Sequence, residues 1–530
     1  MTGRLPSVTG TGTLLRFALR CDRVRLPVWV AAGALLVTVQ SVSSQALYDT
    51  PADLAAYAAS VGSNAAAVAL AGPPVGLDTV AGAVAFEISS FVVVVAALMA
   101  VSTIGRHTRA DEEAGRTELV RATRVGRHAP LLTAVLTAAI ACTATAVAIG
   151  AAATATGLPA GGSFLLGASV GAAGLVFAGV TALAAQVTGS PRATQGVAGA
   201  AVAAAVVLRA VGDVEGNGLV WASPIGWAQA THPYSGDRWW PLLLCLAATG
   251  ALAALAGALL DRRDLGAGLV APRPGPPAAS RALTSPLGLA LRLQRGALAA
   301  WTVGLTLLGL VYGSLAGSVE TLFVDPQARA LLPDAASLTD AFLATTLATT
   351  ALLAAAYAVS AVLRARTEES EGRAEPVLAA AVGRPAWLGG HATVALAGPA
   401  VVLLASGAAT GAVRAVATGD GGEFGRLLAA ALTHLPAVWV VAAVALALFG
   451  LVPRAAVLAW AAVGYVAVTT LFAGPSGWPA WVDDASPFAW TPAVPIEAWR
   501  ATPLVALSVV AAGLLAVGLA GFRRRDLVTG

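Results

Sequence analysis

The chain has 530 residues, of which 57% are hydrophobic and only 11% charged, a composition outside the range of soluble globular proteins. All 32 basic residues are arginine. Without lysine the chain can build neither a nucleotide-binding P-loop, which needs a Lys at the β/γ-phosphates, nor a Schiff base. Cys21, Cys142 and Cys245 are far apart and two lie in apolar runs, so they read as small buried hydrophobes rather than a disulfide framework or a metal site.

Residues 1–26 carry five arginines and no apolar core followed by a small-residue cleavage site, which predicts no cleavable leader and insertion directed by the first span. Leu14, Phe17, Ala18 and Cys21 recur at helical spacing, with Arg16, Arg20 and Arg23 on another stripe. That pattern predicts an amphipathic helix over 13–25 lying in the membrane interface. Ala290, Leu291, Arg292, Arg295 and Trp301 repeat Ala18, Leu19, Arg20, Arg23 and Trp29, so a counterpart is expected over 289–301.

Apolar runs follow, each about the 20 residues that cross a hydrocarbon core as helix. They fall at roughly 27–46, 83–104, 130–152, 163–187, 194–211 and 241–260, then 298–317, 341–362, 387–411, 428–451, 454–473 and 501–521. With the N-terminus inside, 26 of the 32 arginines lie in the cytoplasmic segments. Both ends are therefore expected in the cytoplasm, with twelve spans.

Between the second and third spans, Arg109 to Arg127 reads RADEEAGRTELVRATRVGR, and Arg366 to Arg384 reads RTEESEGRAEPVLAAAVGR; ten of these nineteen ungapped positions are identical. Each half also closes alike. Ser223-Pro224 and Trp227 match Ser486-Pro487 and Trp490, and Arg262-Arg263-Asp264-Leu265 matches Arg524-Arg525-Asp526-Leu527. The expected fold is all-α and polytopic, two parallel six-helix repeats. The first half would cover 1–265 and the second 287–530, joined by a Pro/Gly/Ala-rich cytoplasmic linker at 266–286.

Within each charged island, Glu112 and Arg116, and Glu369 and Arg373, are four apart in the favourable helical order. Gly115 and Gly372 weaken that helix. Thr117-Glu118 and Ala374-Glu375 signal a new short helix, with Pro376 tolerated in its first turn, and Gly126 and Gly383 suit a left-handed cap. The expectation is a break, a short surface helix with paired charges, and a capped turn, once per half. A solvated loop that only fixes topology is the alternative. The copies differ where Arg121 and Arg124 become Leu378 and Ala381.

EEAGRTELVRATRVGR, placed between a second and a third span and preceded by an amphipathic helix, resembles the cytoplasmic loop of ABC-2 type exporter permeases. The fused twelve-span form resembles the tetronasin and polyketide antibiotic exporter permeases of actinobacteria. The resemblance implies a separately encoded ABC ATP-binding subunit that carries ATP and Mg, two copies of which dock on coupling helices at Thr117 to Val125 and Ala374 to Val382. The docking residues it points to are Glu112, Gly115, Arg116, Glu118 and Arg121, with Glu369, Gly372, Arg373 and Glu375. Pro376 and the lost basic residues depart from that pattern in the second copy. A path lined by the first, second and fifth spans of each half, and short outer helices before the sixth, are also implied.

Ionisable residues within spans are functional candidates. Glu87, His391 and His434 are the few here, and none forms a carboxylate pair or His–acid chain suited to a proton relay. Phe86, Glu87, Phe91 and Phe342 are candidates for a substrate path, against the alternative that the rings pack on neighbours and Glu87 reaches water. Eight tryptophans at 212–240 and 474–500 read as an aromatic belt or as an outer gate. There is no HExxH and no nucleophile constellation. The sequence thus points to the membrane subunit of an ATP-driven exporter of hydrophobic or amphipathic compounds in a bacterial cytoplasmic membrane, without enzymatic activity or cofactor of its own and without nucleic-acid partners. An ion-coupled secondary transporter, or a subunit acting on lipids or as a non-transporting scaffold, are the alternatives.

Overall fold

The computed structural model describes residues 7–48, 50–62, 65–264, 266–270, 277–317, 338–476 and 480–527. Leu265, Arg329 and Trp478 lie outside them. Among the described residues the secondary structure is entirely helical, and backbone packing separates two units, Met1–Pro274 and Gly275–Gly530.

In the first unit the amphipathic stretch is helix α1 (Thr11–Cys21), and α2 (Arg25–Leu47) is the first span. Two short helices, α3 (Pro51–Gly62) and α4 (Ala65–Ala71), lead to the second span, α5 (Val80–Gly105). Thr79 caps α5 by accepting from the Gly82 N–H at 3.0 Å, which satisfies one of its free first-turn donors. The island follows as a π-helical turn (Arg106–Ala110), α6 (Asp111–Glu113) and α7 (Arg116–Arg121). Then come α8 (Ala129–Ala155), α9 (Ala160–Val187), α10 (Pro191–Glu215), the short α11 (Pro224–Gln229) and α12 (Pro241–Leu260).

Helix α9 is the hub: α5, α8, α10 and α12 all pack on it, and with α5 it is the most buried of the candidate spans. Glycine makes this possible. A Cβ at Gly167 would sit 2.1 Å from the Ala146 carbonyl oxygen of α8, and one at Gly171 2.8 Å from that of Cys142. In a bilayer, where lipid is as apolar as leucine, such close backbone approach is a main source of helix association. The buried Arg209 of α10 donates to the carbonyls of Val68 and Leu70 at 3.2 and 3.0 Å, tying the C-terminal end of α4 to the bundle.

The second unit repeats the order with changes. The amphipathic stretch expected over 289–301 is no separate helix; it runs straight into its span as the single α13 (Pro286–Leu315). In the first unit the chain turns at Asp22–Val24 instead. Asp22, 2% exposed, is held there by Arg106 and His107 at 2.7 and 2.5 Å. The aligned Gln294 instead bonds the His391 ring at 3.2 Å, so no charge fixes a break. Helices α14 (Leu338–Ser370), α15 (Ala374–Leu378) and α16 (Arg384–Thr418) follow. The fourth span is split into α17 (Gly422–Thr433) and α18 (Leu435–Leu451), with Pro436, which has no N–H to bond back into α17, in the first turn of α18. After a 3-10 turn at Pro453–Leu458 come α19 (Ala459–Ser476), α20 (Ala480–Asp484) and α21 (Ala501–Arg524).

Eleven described helices are long and apolar enough to cross a membrane. The segment expected at 454–473 is not among them; a 3-10 turn takes its start, and α19 begins only at Ala459. The chain is an all-α polytopic membrane protein.

The glycine contacts give a direct test. Gly167→Ala and Gly450→Ala, whose Cβ atoms would meet carbonyl oxygens at 2.1 and 2.0 Å, should each destabilise by about 1–3 kcal/mol through overpacking. Gly199→Ala and Gly513→Ala, with nothing within 4 Å, should be neutral or slightly stabilising. Melting temperatures of the purified variants in detergent would read the difference.

Candidate functional site

The two charged islands fold alike. Gly115 and Gly372 adopt φ of +70° and +71°, a left-handed conformation that turns the chain from the end of the second span into the short surface helix. Gly126 and Gly383, expected to be left-handed caps, are not. Gly126 is buried, its N–H bonded to the Thr9 carbonyl at 2.9 Å, and Gly383 is extended, at φ −71° and ψ 148°, leading into α16. The left-handed turn is needed where the helix stops, at the break, not where the next span begins.

The turn also rewires the charges. The expected pairs of Glu112 with Arg116, and of Glu369 with Arg373, do not form, because a left-handed residue lies between the partners and rotates them apart. Arg116 bonds Asp111 at 2.8 Å instead. Arg373 bonds Glu368 at 2.9 Å, five residues back in the same register, and also Glu371.

Glu112 and Glu369 turn inward, each onto an arginine that follows the last span of its own unit. Glu112 meets Arg263 at 2.6 and 3.1 Å, with Arg109 at 2.8 Å on the same carboxylate. Glu369 meets Arg525 at 2.5 and 2.6 Å. Both contacts are two-pronged, the geometry in which a guanidinium binds a carboxylate most strongly. Side chains of Glu369 and Arg263 are 2% and 4% exposed. The closing arginines of the islands complete the clamp. Arg127 donates to the Leu260 and Arg263 carbonyls at 2.8 and 3.2 Å, and Arg384 to the Arg525 carbonyl at 2.6 Å.

Around that core the units differ. Arg263 Nε donates to Gln186 at 2.7 Å, whereas the Arg525 guanidinium stacks over Phe449 and Phe522, 5.1 and 4.8 Å from the ring centres. In the first unit Arg109 and Arg263 also hold the Ala267 carbonyl, and Leu269 and Val270 bond the end of α9. The start of the segment expected to be a linker is therefore packed on the first unit.

What remains exposed on each island is the short helix. Glu118 and Glu375 are exposed at the same repeat position in its first turn, where a carboxylate complements the helix dipole. Leu119 beside Glu118 is 74% exposed. Arg121 is drawn inward, bonding the Arg127 carbonyl at 3.4 Å, and burial together with Arg127 pulls its guanidinium below the usual value.

The path candidates sit in different local surroundings. Glu87 accepts from Gln40, Ser44 and Tyr48 at 2.7, 2.6 and 2.7 Å, so it ties α5 to the end of α2 as a fully bonded carboxylate. Phe86 is buried, Phe91 is 44% exposed, and Phe342 packs edge-on against Tyr312 at 6.2 Å. The residues that sequence reasoning missed are the clamp arginines. Their signal, the doubled Arg-Arg-Asp, was visible, but 151 and 156 residues separate each from its glutamate.

The segments before the sixth spans share one more device. Trp227 and Trp490 each donate the indole N–H to the carbonyl six residues back, Trp221 and Asp484, both at 2.7 Å.

Removing one partner of a buried ion pair costs about 3–5 kcal/mol. Glu369→Gln or Arg525→Gln should therefore lower the melting temperature sharply, while Glu113→Gln on the exposed face should not. The reversed pair Glu369→Arg with Arg525→Glu should recover part of the loss; a double variant no better than the singles would mean the clamp contributes little.

The family profile described as "Multidrug efflux system permease Rv1217c, C-terminal domain" matches residues 12–260 and 283–523. The chain is also 42% identical over 527 residues to the multidrug efflux system permease protein Rv1217c of Mycobacterium tuberculosis (strain ATCC 25618 / H37Rv), covering 98% of this chain and 95% of that one. These descriptions name multidrug efflux, not the tetronasin export suggested by the finer sequence resemblance. With repeat architecture, islands and two near-complete alignments in agreement, the chain belongs to the Rv1217c family of multidrug efflux system permeases.

Proposed function

We propose that this chain is the membrane subunit of an ATP-driven exporter that moves hydrophobic or amphipathic compounds out of a bacterial cell. A separately encoded ABC ATP-binding subunit would supply ATP and Mg, two copies docking on α7 and α15. The chain would sit in the cytoplasmic membrane with both termini and both islands inside, as the distribution of arginines favours.

The observation that carries this reading is the pair of clamped surface helices. Each presents an exposed carboxylate, Glu118 or Glu375, on a helix too short to be stable alone. Each island is also fixed by a two-pronged ion pair to the arginine that ends the sixth span. A push on such a helix moves the second and sixth spans of its unit as one body. That is what alternating access driven from the cytoplasm requires. A topology signal alone would need positive charge at the surface, not a buried clamp. The absence of lysine throughout the chain agrees with placing nucleotide chemistry on another subunit.

Co-purification with an ATP-binding cassette protein encoded beside this chain tests the reading. Glu118→Arg and Glu375→Arg should each weaken association, by roughly tenfold for about 1.4 kcal/mol of lost charge contact, with the melting temperature unchanged. ATP turnover by the assembled complex in lipid should fall in parallel. A permease that purifies alone, and moves solute in vesicles on an ion gradient without ATP, would make it a secondary transporter.

A further inference from the structure

At the end of the second unit remote from its island, the first turns of α14, the break between α17 and α18, Thr469 and Thr470 of α19 and the segment 483–496 line a cavity of about 290 Å³. Three polar groups on its wall bond to nothing among the described residues. They are Asp483 Oδ1, Ser486 Oγ and Thr470 Oγ1, and Ser486 is only 2% exposed. Buried polar atoms are nearly always hydrogen-bonded, and each exception calls for an explanation. Phe488 and His434 also line the cavity, their rings 6.3 Å apart and both residues buried.

The first unit shows that the fold does not need these groups. Ser223 is the repeat counterpart of Ser486, and its Oγ is used up by the Ala205 carbonyl at 2.7 Å. In the same register Val220 stands where the second unit has Asp483, and Ile225 where it has Phe488. The second unit has thus exchanged two aliphatic side chains for a carboxylate and an aromatic ring, and left a buried hydroxyl free, around one cavity. A carboxylate with a ring face beside it is the arrangement that holds an organic cation away from water.

We propose that this cavity binds a lipophilic organic cation. The Asp483 carboxylate is its counter-ion, Phe488 packs on its apolar body, and Ser486 and Thr470 accept or donate to whatever polar atoms it carries. The inference deepens the efflux reading by naming a class of compound, and it rests on that reading only for what becomes of the ligand after it binds.

The test uses the full-length permease alone in lipid nanodiscs, with empty nanodiscs subtracted. Tetraphenylphosphonium and tetraphenylborate are nearly equal in size and opposite in charge. Wild type should bind the phosphonium at least about tenfold more tightly than the borate, the equivalent of about 1.4 kcal/mol. Asp483→Asn should abolish that preference and Asp483→Glu should keep it. Ala348→Phe, which fills the cavity from α14, should exclude both ions, with folding of every variant checked by gel filtration and melting temperature. Phosphonium binding unchanged in Asp483→Asn, or in Ala348→Phe should the former misfold, overturns the proposal, as does a wild type indifferent to charge. No ATP-binding subunit is present, so such a failure leaves the docking experiment untouched. Intact cation binding with no subunit association would instead remove only the ATP drive.

Discussion

The two-pronged contact between an island glutamate and the arginine after the sixth span is what the island-bearing end of each unit is built on. Glu112 with Arg263 and Glu369 with Arg525 join the end of the second span to the end of the sixth. A buried ion pair gains little net stability, because desolvation of both charges offsets their attraction, yet losing one partner strands the other. Its value is therefore positional. Four chain segments, namely the second span, the short helix, the turn into the third span and the tail of the sixth, acquire one relative placement. The guanidinium groups of Arg127 and Arg384 donate to backbone carbonyls of the same tail and close the arrangement. The left-handed Gly115 and Gly372 make it reachable, since a helix continued through either would swing the following surface helix away.

Much of this was legible in the sequence, and what was not has a physical cause. Ten matches in nineteen positions revealed the duplication, and the run lengths located spans whose ends the helices extend by a few residues. The short helices and the break before them were readable from Gly115 and Gly372. The partner of each island charge was not. Spacing of four favoured Glu112 with Arg116, but local periodicity assumes an unbroken helix, and the left-handed Gly115 breaks it between the two partners. The true partner came from a distant segment that shared only its repetition. Glu87 shows the converse. A carboxylate near a span end looked available, and only the fold reveals Gln40, Ser44 and Tyr48 converging on it.

The far ends of the units tell a different story from the islands. The indole bonds of Trp227 and Trp490 hold equivalent turns in the same shape, so the scaffold there is shared. On that scaffold the side chains have diverged in chemistry, from Val220, Ile225 and a bonded Ser223 to Asp483, Phe488 and a Ser486 with no partner among the described residues. Interiors tolerate exchanges of similar volume but penalise an unbonded polar atom. An unpaired carboxylate oxygen therefore marks a place where something other than stability set the residue.

Retention at one end and divergence at the other fit a division of labour within a fused pair. If two identical copies of a motor press on the islands, both islands must offer the same grip and the same rigid link to their spans. Glu118 and Glu375, Gly115 and Gly372, and the two clamps keep that symmetry while the side chains between them drift. A ligand has no reason to be two-fold symmetric, and a homodimer cannot change one of its two pockets without changing the other. Fusing the copies into one chain removes that restriction. It lets Val220 remain where no charge is wanted while Asp483 faces a cavity in the second unit, with the same clamp kept at the island end of both.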